Sequence, residues 1–154
     1  MGKTLHMETT SVSVIKTCGE IEDVLVKHGV RQVWKKFNDK QEVDALEFVM
    51  PIDGVDIYFK LPLRWVEIQR LARQGKTGTR AAREEPQARR IAARLILRWV
   101  QAQFALIDTG MVQMDEVFLP YATAPSGITY FEYIQGKGGL KALNAPPSEK
   151  KAEA

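Results

Sequence analysis

Arginine recurs along one stretch of this sequence at the spacing of a helix face, and guanidinium groups in a row are chemistry for anions. Between Arg64 and Arg98 stand nine Arg and one Lys against three Glu, a local charge of +7. The remaining residues carry twelve cations against sixteen carboxylates, or −4, so the net charge of +3 conceals two regions of opposite sign. A concentrated positive field attracts polyanions where a mixed surface does not. At about 100° per residue, Arg83, Gln87, Arg90, Arg94, Arg98 and Gln101 share one narrow stripe. Ala88, Ile91, Ala92, Leu95, Trp99, Ala102 and Leu106 lie opposite. The expectation is an amphipathic helix with arginine outward. A solvated face would be served equally by Lys, whereas the planar fork of Arg suits phosphate oxygens and stacked bases. The residues expected to bind nucleic acid are therefore Lys76, Arg80, Arg83, Arg90, Arg94 and Arg98.

Gly75-Lys76-Thr77 has the form of the end of a phosphate-binding loop, but Arg70 stands where the first glycine is required and a helical pattern precedes it, which argues against a nucleoside triphosphate site. The segment Gln74 to Arg83 remains a Gly-containing loop that can meet a backbone phosphate. Trp34-Lys35-Lys36-Phe37, with Lys40 nearby, sets aromatics beside cations, as in clamps for single strands. Strand alternation puts Val33, Lys35 and Phe37 on one face and Trp34 and Lys36 on the other, so at least one aromatic is expected in the core and Trp34 is the stacking candidate. Asp44, Glu47, Asp53 and Asp56 lie near hairpin turns and could pair around a metal for nuclease chemistry, but no His or Lys constellation accompanies them and surface charge is the expected role. Cys18 is the single cysteine and His6 and His28 the only histidines, so no zinc set is expected. Cys18 is read as a structural thiol, a reactive one at a helix N-terminus being the alternative. No catalytic constellation, metal or cofactor emerges, and the reading leans away from an enzyme.

The elements that must position these residues are legible from periodicity. At 154 residues, 45% hydrophobic and 27% charged, the chain has the size and composition of one globular domain. No run approaches the roughly 18 apolar residues of a membrane span, and the N-terminus lacks a secretory h-region, so a cytoplasmic location is expected. A flexible leader over 1–10 precedes a short strand, Ser11 to Ile15. Thr17 then caps a helix, with Glu20 completing a capping box and Gly29 ending it. Strands are expected over Gln32 to Phe37, Val43 to Met50 and Val55 to Leu61, joined through Asn38-Asp39-Lys40 and Pro51-Ile52-Asp53-Gly54 with Pro51 at the first corner. Such short links allow only an antiparallel meander. A short helix, Arg64 to Gln74, and a long one from Glu84-Glu85-Pro86 to about Asp108 follow, the second half of the latter apolar on several sides with Trp99 buried. Pro125-Ser126-Gly127 reads as a turn, a last helical turn reaches Ile134, and 136–154 reads as a disordered tail. The expected architecture is α+β: a single domain over 11–135 in which a helix precedes the meander and a short and a long helix pack across it.

Several segments in order resemble a family of small uncharacterised proteins encoded by bacteriophages and prophages. These are Thr10 to Thr17, Glu20 to Leu25, His28-Gly29-Val30, Leu46-Glu47-Phe48, Phe59 to Leu63, the Arg-rich helix leading into Asp108 to Val112, Glu116 to Tyr121 and Pro125 to Thr129. The resemblance covers most of residues 10 to 134 and leaves out the basic stretch between Leu63 and Glu84. It implies a phage origin and supplies no catalytic residues. The expected function is a nucleic-acid-binding accessory protein of phage DNA metabolism, with DNA favoured over RNA. The alternative is an interaction module or inhibitor docking an acidic host protein on the same basic face. No membrane partner is expected, and a homo-oligomer is open.

Overall fold

Ser13 is where the chain turns helical in the computed structural model, which describes residues 4–144. Its hydroxyl accepts the Lys16 amide at 3.2 Å, and α1 runs Val14–Lys27. The expected strand over Ser11 to Ile15 therefore does not form, because five alternating residues compete poorly with a cap that satisfies helix amides. Thr17, expected as the cap, is buried one turn inside the helix. Gly29 does end it: at φ +92° its amide and that of Val30 return to the Val26 and Leu25 carbonyls.

The meander is β1 (Gln32–Phe37), β2 (Val43–Ile52) and β3 (Val55–Pro62), antiparallel in the order β1-β2-β3. Asp53 and Gly54, both at positive φ, make a two-residue turn of the kind that matches strand twist. Pro51, expected at a corner, instead lies in β2 opposite Asp56. The last β1 pairing is Gln32 with Val49, so Pro51 sits where β2 has become an edge and proline is tolerated. Leu46, Phe48, Phe59 and Leu61 face the helices. Trp34, Lys36, Glu47, Tyr58 and Lys60 alternate onto the outer face.

After β3 come α2 (Trp65–Arg73), a 3₁₀ turn (Arg80–Arg83) and α3 (Glu85–Asp108), the last with Pro86 in its first turn. Ile21 and Leu25 of α1 and Leu97, Val100 and Phe104 of α3 form one core with the sheet; Ile68, Ala72, Ala82, Ala88 and Ile91 form a second between α2, the 3₁₀ turn and α3. Then α4 (Met114–Phe118) delivers Phe118 into the first core, and Ala122 and Thr123 extend the β3 edge. Trp99 is half-buried rather than fully enclosed, against Phe118 and Tyr121. The chain closes with α5 (Tyr130–Gly136), capped by Thr129 and Glu132, and a 3₁₀ turn (Gly139–Asn144). The expected tail thus has regular structure over residues 136–144, and the remainder lies outside the described residues. The leader is tethered from Leu5 to Thr10: Gln87 Nε2 donates to the Glu8 and Thr10 carbonyls, and Leu5 packs on the second core. The architecture is α+β, with a helix before a three-stranded antiparallel sheet. No helix among the described residues is long and apolar enough to cross a membrane.

His28 joins the C-terminal ends of α1 and α3. One ring nitrogen is 2.7 Å from the Val24 carbonyl, the other 2.9 Å from the Asp108 carboxylate, and the ring stacks on Phe104. Burial pulls its pKa down, but the hydrogen bonds to Asp108 and Val24 and the Asp108 charge outweigh it and hold the imidazolium above the usual 6.5. A raised folded pKa stabilises fully below the unfolded value, and that contribution is lost as pH rises through the folded one. His28→Gln should therefore remove a loss of stability that sets in as pH rises above about 6.5, read by urea unfolding at each pH.

Candidate nucleic-acid interface

The expected outward stripe of α3 meets a neighbour instead of solvent. Arg94 pairs with Glu20 and lies 3.5 Å from the Thr17 hydroxyl, its side chain only 11% exposed. It is not an outward residue, because α1 packs along α3 and brings a carboxylate to meet it. Arg90 is half-buried and donates to Gln87, whose amide holds the leader. Of the three central arginines only Arg98 stays exposed, with Gln101 accepting at 3.3 Å. A helical wheel says which residues share a face; it does not say whether a second helix brings polar groups to that face.

Arg89, absent from both faces of the wheel, is the most buried cation. Its side chain is 6% exposed, with Glu85 at 2.9 Å, Glu42 at 3.1 Å and Asp44 at 3.2 Å. It also donates to the Val43 carbonyl at 2.9 Å and sits 4.5 Å from the Trp65 ring centre. The four-residue spacing Glu85-Arg89 was the available signal. Arg70 in turn pairs with Glu67 at 2.8 Å. Part of the +7 is thus consumed internally.

Four cations of the basic stretch without a carboxylate partner among the described residues lie between the end of α2 and the 3₁₀ turn, with Arg64 and Arg98 exposed elsewhere. Arg73 Nε and Gln69 Nε2 both donate to the Arg83 carbonyl, at 3.1 and 3.2 Å, which ties the end of α2 to the 3₁₀ turn and closes the segment between them. Arg73, Lys76, Arg80 and Arg83 are all exposed, and none meets a carboxylate among the described residues. Gly78, at φ +87°, packs where a Cβ would come within 3.0 Å of Leu5 and 3.5 Å of Ala72 and Ala82. The leader, α2 and the 3₁₀ turn converge on it, so the loop backbone is held in place. The structure thus brings Lys76, Arg80 and Arg83 together, adds Arg73, and separates them from the helix-face trio.

Trp34 lies on the outer sheet face beside Tyr58, ring centres 6.2 Å apart and 17° from parallel. Phe37 is exposed as well, since the register slips after Lys36, so neither aromatic of β1 is in the core. Of the acids, Asp44 serves Arg89, Glu47 pairs with Lys36 at 3.5 Å and Asp56 with Arg31 at 3.4 Å. No cluster able to hold a metal occurs among the described residues. Cys18 is wholly buried within α1, and burial pushes its thiol up to about 11, which leaves a structural thiol rather than a nucleophile. No family model, curated protein or solved structure matches this chain.

Proposed function

We propose that this chain is a non-enzymatic nucleic-acid-binding accessory protein of phage or prophage origin, contacting phosphates through the loop that carries Arg73, Lys76, Arg80 and Arg83. The supporting observation is the set of four exposed cations on one closed loop without a carboxylate partner. Cations already paired in the fold would have to break those pairs to meet phosphate, whereas Lys76, Arg80 and Arg83 need only release water and counterions. The α3 face contributes Arg98 at most, since Arg94 is committed to Glu20.

The test is a triple variant, Lys76→Gln/Arg80→Gln/Arg83→Gln, which leaves Arg73 to hold the loop. On duplex DNA the slope of log K against log salt should shrink by about 0.9 per lost phosphate contact, roughly 2.7 in all. Arg90→Gln/Arg94→Gln should instead destabilise the fold, by exposing Glu20 to loss of its partner. An acidic protein partner on the same loop is the second reading; it lacks the condensed counterions that make the DNA slope steep. Absence of binding to single- or double-stranded DNA and RNA at about 50 mM salt would leave that second reading in place.

A further inference from the structure

The outer face of the sheet has no element packed across it among the described residues, yet it is not a bare apolar carpet. Trp34 from β1 and Tyr58 from β3 lean toward each other over β2, nearly parallel, and both remain accessible. Val49, the β2 residue paired with both Gln32 and Tyr58, is buried on this face although it stands outside the main core. What solvent meets is therefore two ring surfaces and a set of amino groups. Lys36 and Lys60 flank Glu47, whose carboxylate goes to Lys36, and Lys60 has no carboxylate partner among the described residues. The Arg31–Asp56 pair leaves the face with three cations against two acids. A groove of about 600 Å³ runs from Lys36, Glu47 and Tyr58 to Thr123, Pro125 and Gly127.

We infer that this face takes a single strand of nucleic acid, its bases stacked on Trp34 and Tyr58 and its backbone along Lys60, unpaired among the described residues. The inference rests on the nucleic-acid reading above and deepens it to a substrate class. Rings offer their faces to bases, and only unpaired bases can be splayed onto a sheet; in a duplex both base faces are occupied by neighbours. Lys60 matches the charge of a phosphate, and the excess cation favours a polyanion over an apolar protein surface. The basic loop would then bind backbone of either form, while the sheet supplies the preference for single strands.

The experiment compares three probes by fluorescence anisotropy: an oligo(dT) of about twelve nucleotides, an abasic strand of the same length and a duplex of the same length. The protein should bind oligo(dT) about 5- to 100-fold more tightly than the abasic strand, with quenching of tryptophan emission. Trp34→Ala and Tyr58→Ala should each remove most of that preference and leave duplex binding unchanged. Trp34→Phe, which keeps a ring, should retain it, so that a folding defect in the Ala variant cannot pass for lost stacking. Equal affinity for the two strands, or a preference that survives Trp34→Ala, overturns the platform alone. Failure to bind any of the three probes or an RNA strand of the same length overturns the nucleic-acid reading and the platform with it.

Discussion

Phe118→Ala should cost about 3 to 5 kcal/mol of stability, the largest effect expected of any single truncation in this chain. Phe118 has no solvent exposure, and its ring lies 5.3 Å from Trp99, 5.5 Å from Phe104, 5.9 Å from Phe48 and 6.1 Å from Phe59. It thereby joins β2, β3 and α3 through one side chain. Removing it opens a cavity that rigid aromatics from three separate elements cannot easily collapse into, and cavity volume adds to the lost transfer energy. Its neighbour Leu119 is about half exposed, and Leu119→Ala should stay within roughly 0.5 kcal/mol. Urea unfolding monitored by tryptophan emission distinguishes the two, because Trp99 reports directly on the hole. Equal effects at both positions would mean that α4 does not deliver Phe118 as described.

The sequence shows none of this at Phe118, and the reason is physical. Five residues, Met114–Phe118, are too few to establish a helical period, and one inward residue in such a segment leaves no pattern. Where segments are long and their ends chemically marked, the reading and the structure agree. The three strands begin where they should, α3 opens at Glu85-Pro86 and ends before Gly110, and α1 ends at Gly29. Misreadings fall where two local signals compete or where a distant partner decides. Ser13 and Thr17 are both good caps, and only the burial of Thr17 against its surroundings excludes it. Arg94 looks like surface until α1 supplies Glu20. The cations of the Arg73–Arg83 loop were visible as charge, but that they stay unpaired while Arg89 and Arg94 do not is a property of the fold.

Arg89 carries the second large expectation. Arg89→Met keeps the length of the side chain and removes its charge and its fork, and should destabilise the fold by about 3 kcal/mol, the low end for breaking a buried ion pair. The low end applies because Glu42, Asp44 and Glu85 are each partly exposed and can regain water, whereas the Val43 carbonyl loses its guanidinium donor outright. Arg89→Lys should recover only part of the loss, since a single ammonium cannot meet three carboxylates, a carbonyl and the Trp65 ring with one geometry. The pH dependence separates this account from simple packing. The hydrogen bond from Arg89 comes first among the causes that hold the Glu85 carboxyl below its usual 4.5. A depressed folded pKa gives stability that is present above the unfolded value and is lost as pH falls through the folded one. The parent should therefore lose that contribution on acidification below about pH 4.5, while Arg89→Met, already without it, should show a flatter profile there. The gap between the two should narrow as the pH falls below about 4.5. A gap that stays constant as the pH falls would assign Arg89 to packing against Trp65 rather than to its pair with Glu85.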